Sequence, residues 1–143
     1  MGCCTKKAKT INTEPSVSLE DTRKLLQEDF EKKSGSNKVY FAFDDSSLSE
    51  VAKTTLEKQA EWLNTNPDIM VMIEGHCDDR GSKDYNVDLG LRRAKTAKSF
   101  LIKQGIDKER IRIISYGEES PEFPDHSKKS HRLNRKAVVV IIN

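Results

Sequence analysis

Residues 73–101, IEGHCDDRGSKDYNVDLGLRRAKTAKSFL, decide how the chain is read. The first residues end a strand, the Gly81-Ser82 step turns the chain, and a helix begins near Ser82. At about 100° per residue, Val87, Leu89, Leu91, Ala94, Ala97, Phe100 and Leu101 fill one broad apolar arc, as expected of a helix laid on a core. Arg93 projects inside that arc. Arg92 falls on the opposite side, four residues after Asp88, where an exposed pair is worth only a few tenths of a kcal/mol. Two adjacent arginines therefore have different tasks.

A guanidinium on the inner face of a helix needs something negative, because removing the partner of a buried charge costs about 3–5 kcal/mol. Two arrangements meet the need. One is an internal salt bridge from Arg93 to Asp78 or Asp79. The other is an anion seat, in which Arg93 grips a ligand carboxylate while a nearby Asp takes a ligand ammonium. The turn at 77–84, CDDRGSKD, favours the second: it sets Asp78 at the C-terminal end of a strand and opens a helix whose free N–H groups attract anions.

Outward from this stretch, residues 39–43 (VYFAF) predict a strand by their aromatic and β-branched content, ended by Asp44, Asp45 and Ser46. Ser47 and Glu50 match a capping box for a helix carrying Leu48, Val51, Ala52, Leu56, Ala60 and Leu63, which 64–67 (NTNP) stop. A second strand is expected over 69–74. The long helix ends at Gly105, a third strand covers 110–116, and a loop over 117–127 with Pro121 and Pro124 precedes a helical turn at 129–134. Residues 137–142 (AVVVII) form an unbroken apolar run, the pattern of a strand covered on both faces. This βαβαβ-β order calls for an α+β domain over 38–143, with a mixed four-stranded sheet and the two main helices packed on one face. Upstream, residues 19–37 hold a short helix, with Leu19, Leu26 and Phe30 on one side, and a linker; that helix either packs on the domain or spaces it. Residues 1–18 are polar and aperiodic and read as a flexible tether.

At 143 residues the chain accommodates one ordinary domain. Charged residues make up 34% with a net charge of +2, and the basic run 128–136 is offset by the acidic run 118–125, which argues against nucleic acid as partner. No apolar run approaches the roughly 18–20 residues that cross a bilayer. The chain opens Met1-Gly2-Cys3-Cys4, as a bacterial lipoprotein would with Met1 in place of the removed signal; Cys3 is then the acylated residue, with Cys4 as the alternative. Myristoylation at Gly2 would want Ser or Thr at position six, where Lys6 stands. Cys77 is the one thiol of the domain, so no internal disulfide framework is expected.

Neither catalysis nor a cofactor is implied. No Ser stands in a G-x-S-x-G context, and Glu118-Glu119 read as a solvated face. His76 and Cys77 point to opposite faces of a strand, while His126 and His131 lie far along the chain, so no metal set is expected.

The order G-H-C-D-x-x-G-x-x-x-Y-N-x-x-L-G-x-R-R-A over 75–94 resembles the signature of OmpA-like peptidoglycan-binding domains. VYFAFD at 39–44, SYGEESP at 115–121 and NRKAVVVI at 134–141 resemble, within that superfamily, the peptidoglycan-associated lipoproteins (Pal) most closely. The resemblance covers residues 39–142. It implies non-catalytic binding of peptidoglycan through the meso-diaminopimelate of its stem peptide, whose side chain ends in one carboxylate and one ammonium. It implies Asp78 and Arg93 as principal contacts, with Asp78 on the ammonium or else orienting Arg93. Phe43 and Asp44 would close the pocket, Leu89 would line it and Asn86 would brace the loop. The chain departs from the pattern at Cys77, where Thr is usual and a backbone contact is what remains, and at Lys136, where Arg is commoner. The resemblance further implies TolB and other Tol proteins as partners, a lipid anchor at Cys3 in the outer membrane, and a domain in the periplasm of a Gram-negative bacterium. The rival readings are an OmpA-like protein-interaction module without wall affinity, or a fragment of a larger outer-membrane or stator protein.

Overall fold

A computed structural model describes residues 18–142, so the expected tether and the acylation sites Cys3 and Cys4 lie outside the described residues. Helix α1 spans Leu19–Ser34, strand β1 Lys38–Tyr40, helix α2 Glu50–Thr65 and strand β2 Val71–His76. Helix α3 spans Lys83–Lys103, strand β3 Ile111–Gly117, helix α4 Lys128–Asn134 and strand β4 Lys136–Ile141. The sheet order is β1-β4-β2-β3. β2 and β3 are parallel, joined by the α3 crossover, and β4 enters between β1 and β2 antiparallel to both. The α+β class and the mixed four-stranded sheet are as expected from the element order.

Central placement explains the apolar run of β4. Val139 and Ile141 pair with Ile73 and Val71 of β2 and join Leu56, Leu63, Ala94, Ala97 and Leu101 in the core. On the other face, burial of Val138 and Lys136 is nearly complete while Val140 is only half-buried. Lys136 meets Glu122 of the long loop there, which is how the acidic and basic runs offset one another.

Helix α1 joins the core. Phe30, fully buried, meets Trp62 edge to face at 5.1 Å between ring centres, and Trp62 Nε1 donates to Asp29 Oδ2 at 2.8 Å. Gln27 accepts from the Ile141 amide at 2.7 Å.

Several local expectations shift. The cap of α2 is Ser49, whose Oγ accepts from the Ala52 amide at 3.1 Å. Ser47 instead turns its hydroxyl and amide to Asp45 Oδ1, both at 2.8 Å. β1 stops at Tyr40, three residues short of its apolar run, opposite Lys136 where its partner β4 begins, and the Phe41 and Ala42 carbonyls that follow accept from the Arg135 and Arg93 guanidiniums. Val87 leaves the α3 arc and is 44% exposed, whereas Arg92 pairs with Asp88 at 3.2 Å on the outer side.

Candidate ligand-binding site

The site lies at the C-terminal end of β2, where two glycines let helix and sheet approach. A Cβ on Gly75 would fall 1.7 Å from the carbonyl oxygen of Gly90, so no other residue fits at 75 without moving α3. Arg93 stands one turn beyond Gly90, and the approach carries it beneath the strand end. It is fully buried. Its Nε donates to the Asp45 carbonyl at 2.9 Å, Nη1 to His76 at 2.8 Å and Nη2 to Ala42 at 3.1 Å. The internal salt bridge from Arg93 to Asp78 or Asp79, the alternative the sequence disfavours, is not formed. Three carbonyls meet the guanidinium, which spends three of its five N–H donors on them and ties the β1–α2 loop to the end of β2. Burial pushes the Arg93 pKa down, although a guanidinium stays charged.

Asp78, 4% exposed, is held by other arginines. Arg80 Nη2 donates to its Oδ2 at 2.7 Å, the Arg80 amide to its Oδ1 at 3.1 Å, and Arg135 Nη1 reaches Oδ2 at 3.4 Å. Burial raises the Asp78 pKa, but the Arg80 hydrogen bonds and charge, with Arg135, outweigh it and hold the carboxyl below the ordinary value. Arg135 also donates from Nε to the Phe41 carbonyl at 2.8 Å. Neither Arg80 nor Arg135 stands out in the sequence, where each is one basic residue among several; only the strand order brings 135 beside 78.

The opposite wall comes from the β1–α2 loop. Asp44 has φ 53°, a left-handed conformation costly for a residue with a side chain, and the Tyr85 hydroxyl donates to its carboxylate. Phe43, 57% exposed, lies under the Arg80 guanidinium, 4.0 Å from the ring centre. Between the walls is a cavity of about 190 Å³, floored by Arg93 and Leu89. Asn86 Nδ2 lies within hydrogen-bonding distance of the Asp78 and Arg80 carbonyls and of Glu118 Oε1, so it braces the turn, and Glu118 is not a freely solvated side chain.

Cys77 also lines the cavity but is 3% exposed. Its amide is committed to the Gly117 carbonyl at 2.8 Å and its thiol to the Asn86 carbonyl at 3.1 Å. Burial pushes the thiol pKa up to about 11, which makes it a packed group and a poor nucleophile. Of the backbone groups that could supply the contact expected at this residue, the N–H is thus already used by the fold. His76 points to the other face and stacks on Tyr116 with ring centres 5.4 Å apart.

Three guanidiniums (Arg80, Arg93, Arg135) and two carboxylates (Asp44, Asp78) line the cavity. The surplus is one positive charge, in a place where the floor guanidinium faces only neutral carbonyls. This arrangement suits a small zwitterion with a carboxylate directed inward.

A family model described as the OmpA family matches residues 40–135. The chain belongs to the OmpA family. Among curated relatives, a protein named peptidoglycan-associated lipoprotein from Legionella pneumophila is 46% identical over 101 residues, covering 70% of this chain and 57% of the relative. One of the same name from Mesorhizobium japonicum is 36% identical over 143 residues, covering 98% of this chain and 83% of the relative. The chain therefore spans less than two thirds of the first relative and most of the second. The crystal structure of the peptidoglycan-associated lipoprotein from Burkholderia pseudomallei superposes with a TM-score of 0.73 at 30% identity, covering 76% of this chain and 92% of that one. The C-terminal domain of Helicobacter pylori MotB, at 18% identity and a TM-score of 0.69, shares the OmpA-family fold.

One placement departs from the sequence expectation. His126 and His131, far along the chain, both lie against the carboxylate of Asp79. No helix among the described residues is long and apolar enough to cross a membrane.

Proposed function

We propose that this OmpA-family chain is a non-catalytic binder of peptidoglycan, which takes the zwitterionic end of meso-diaminopimelate into the cavity at the end of β2. The observation that carries this reading is the uncompensated positive charge at the cavity floor. The two N–H groups of Arg93 left after its three carbonyl bonds, with those of Arg135, receive the ligand carboxylate. Asp44 takes the ammonium, with Tyr85 holding its carboxylate in place. Asp78 acts through Arg80 and Arg135 by keeping their guanidiniums aimed, and Phe43 and Leu89 cover the aliphatic stem of the ligand. Cys77 and Asn86 shape the wall from behind.

The names of the relatives support placing this binding at the cell wall. On the same resemblance, Cys3 carries a lipid that holds the chain at the outer membrane, the domain faces the periplasm, and TolB and other Tol proteins are partners. The whole would tether the outer membrane to the wall.

The test is calorimetric titration of the full chain with a muropeptide ending in meso-diaminopimelate and with one in which lysine replaces it. Lysine keeps the amine and lacks the adjacent carboxylate. Binding of the first and not the second is expected. Asp44→Asn and Arg80→Ala, both at exposed side chains, should each weaken it by about tenfold or more, one charged hydrogen bond being worth about 1.5–3 kcal/mol. Equal binding of the two muropeptides would mean that the diaminopimelate carboxylate is not what the cavity reads, and binding of neither would leave a protein-docking role for the domain.

A further inference from the structure

Beside the cavity, on the outer side of the same turn, is a cluster that the ligand does not use. Asp79 comes from the turn after β2, His126 from the long loop and His131 from α4. His131 Nε2 lies 2.9 Å from Asp79 Oδ1, and His126 Nδ1 contacts Oδ2 of the same carboxylate. One donor atom from each residue lies within 4.8 Å of the other two.

We propose that Asp79, His126 and His131 form a binding site for a divalent transition-metal ion of the zinc class. Two imidazoles and one carboxylate are the donor set such ions prefer, whereas calcium and magnesium take oxygen ligands throughout. The site is built on fixed backbone. Ser127 caps α4 by accepting from the Ser130 amide at 3.1 Å, and its own amide donates to Asp125 Oδ1 at 2.9 Å. Asn134 clamps Phe123 on both sides, accepting from its amide at 3.1 Å and donating to its carbonyl at 2.7 Å. The loop bearing His126 is therefore held at both ends of a short span.

A second observation points to a ligand. His131 Nε2 is buried and has no hydrogen-bond partner, because its 2.9 Å approach to Asp79 lies off the direction of a good bond. A buried polar atom left so is costly, and a metal ion set between the ring and the carboxylate would satisfy it. Metal bonds of about 2.0–2.2 Å at tetrahedral angles place donors about 3.3 Å apart. His126, 80% exposed, is free to make the small movement that closes the set. The remaining position stays open to water or to a ligand from another molecule. A bound ion would cross-link the long loop and α4 to the turn carrying Asp78 and Arg80, stiffening one wall of the cavity.

The probe is zinc chloride alone, titrated calorimetrically into the untagged full chain carrying Cys3→Ser and Cys4→Ser, since tail thiols would bind zinc themselves. One equivalent is expected. Replacement of groups that only orient a ligand already weakens metal binding about 10–100-fold, so loss of a ligand in His126→Ala should weaken it at least tenfold. That side chain is exposed, so the variant keeps the metal-free melting temperature. His131→Gln should behave likewise toward zinc, and His76→Ala should leave the titration unchanged. Cobalt in place of zinc should give visible bands of nitrogen and oxygen coordination that His126→Ala abolishes. Absence of binding in the tail-serine protein, or binding indifferent to His126→Ala, overturns the proposal.

Discussion

Two arginines at opposite ends of β2 do the same local chemistry and differ in what surrounds them. Arg110, ahead of β3, donates from Nε to the Ile69 carbonyl at 2.9 Å and from Nη2 to those of Leu63 and Asn66 at 3.0 and 2.8 Å. Arg93 also holds three carbonyls, from the β1–α2 loop and the strand end. Each guanidinium fastens a loop: it is the side-chain donor to all three carbonyls, of which Ala42 at one end and Leu63 and Asn66 at the other also accept from a backbone amide. Arg110 is half-buried at the surface, while Arg93 is buried at the floor of a cavity that two more arginines and two aspartates also line. Capping carbonyls is thus a way of closing loops in this fold. Of the two, only Arg93 leaves its charge in excess beside a space.

The largest effect that would break the comparison is on stability. Arg93→Ala strips a buried guanidinium from the Asp45, His76 and Ala42 carbonyls, of which Ala42 keeps a backbone donor, and should cost about 4 kcal/mol; Arg110→Ala, at a half-buried side chain whose Leu63 and Asn66 carbonyls keep backbone donors, should cost about 2. Urea unfolding followed by the single tryptophan, Trp62, packed on Phe30, reads both. Equal costs would mean that the two ends are equivalent clamps and that burial of Arg93 carries no special meaning.

How much of this was legible in the sequence follows from the range of the interactions. The element order, the inward Arg93 and the outward Arg92–Asp88 pair rest on helical and strand periods within a few residues, and these appear as expected. What holds Arg93 was not legible, since a backbone carbonyl leaves no mark on residue identity. Arg135 reaches Asp78 only because β4 inserts next to β2, and strand order is not written in any local pattern. The same holds for His126 and His131 at Asp79, which depend on the path of the long loop. In the sequence Tyr85 shows only as a place in the 75–94 motif. Its hydroxyl partner, Asp44, lies 41 residues away on the other wall.

The next effect sharpens the contrast through packing. Gly75→Ala drives a Cβ into the Gly90 carbonyl and must push α3 off the sheet, at a cost of about 3 kcal/mol. Gly105→Ala, at the Arg110 end of α3, meets nothing within 4 Å and suffers only from φ +100°, a strain of about 1 kcal/mol. The first should also abolish muropeptide binding, because Arg93 moves with the helix, whereas the second should leave binding intact. Binding retained in Gly75→Ala would show that the close approach does not set the cavity.

The smallest effect is electrostatic and separates the ends by pH. The carbonyls around Arg110 do not titrate, whereas Asp78, among three arginines, does. Its carboxyl lies below the ordinary value of 3.8 in the folded chain, so its contribution is fully present above that value and is lost as pH falls through the lower, folded one. Asp29, Asp45, Glu122 and Asp125 are depressed too, the last to about 2 through hydrogen bonds from Ser127 and Ser130, so acid unfolding of the wild type alone cannot isolate Asp78. The difference between wild type and Asp78→Asn can. It should be about 2 kcal/mol near neutrality, the order of one charge-assisted hydrogen bond, and shrink toward zero as Asp78 is protonated in the folded wild type. In an Arg110→Ala background the same difference curve should be recovered, because the two clamps lie at opposite ends of β2 and share no partner. A difference that stays flat across the acid range would mean that Asp78 is not held by its arginines, and the cavity would lose the group that aims Arg80 and Arg135.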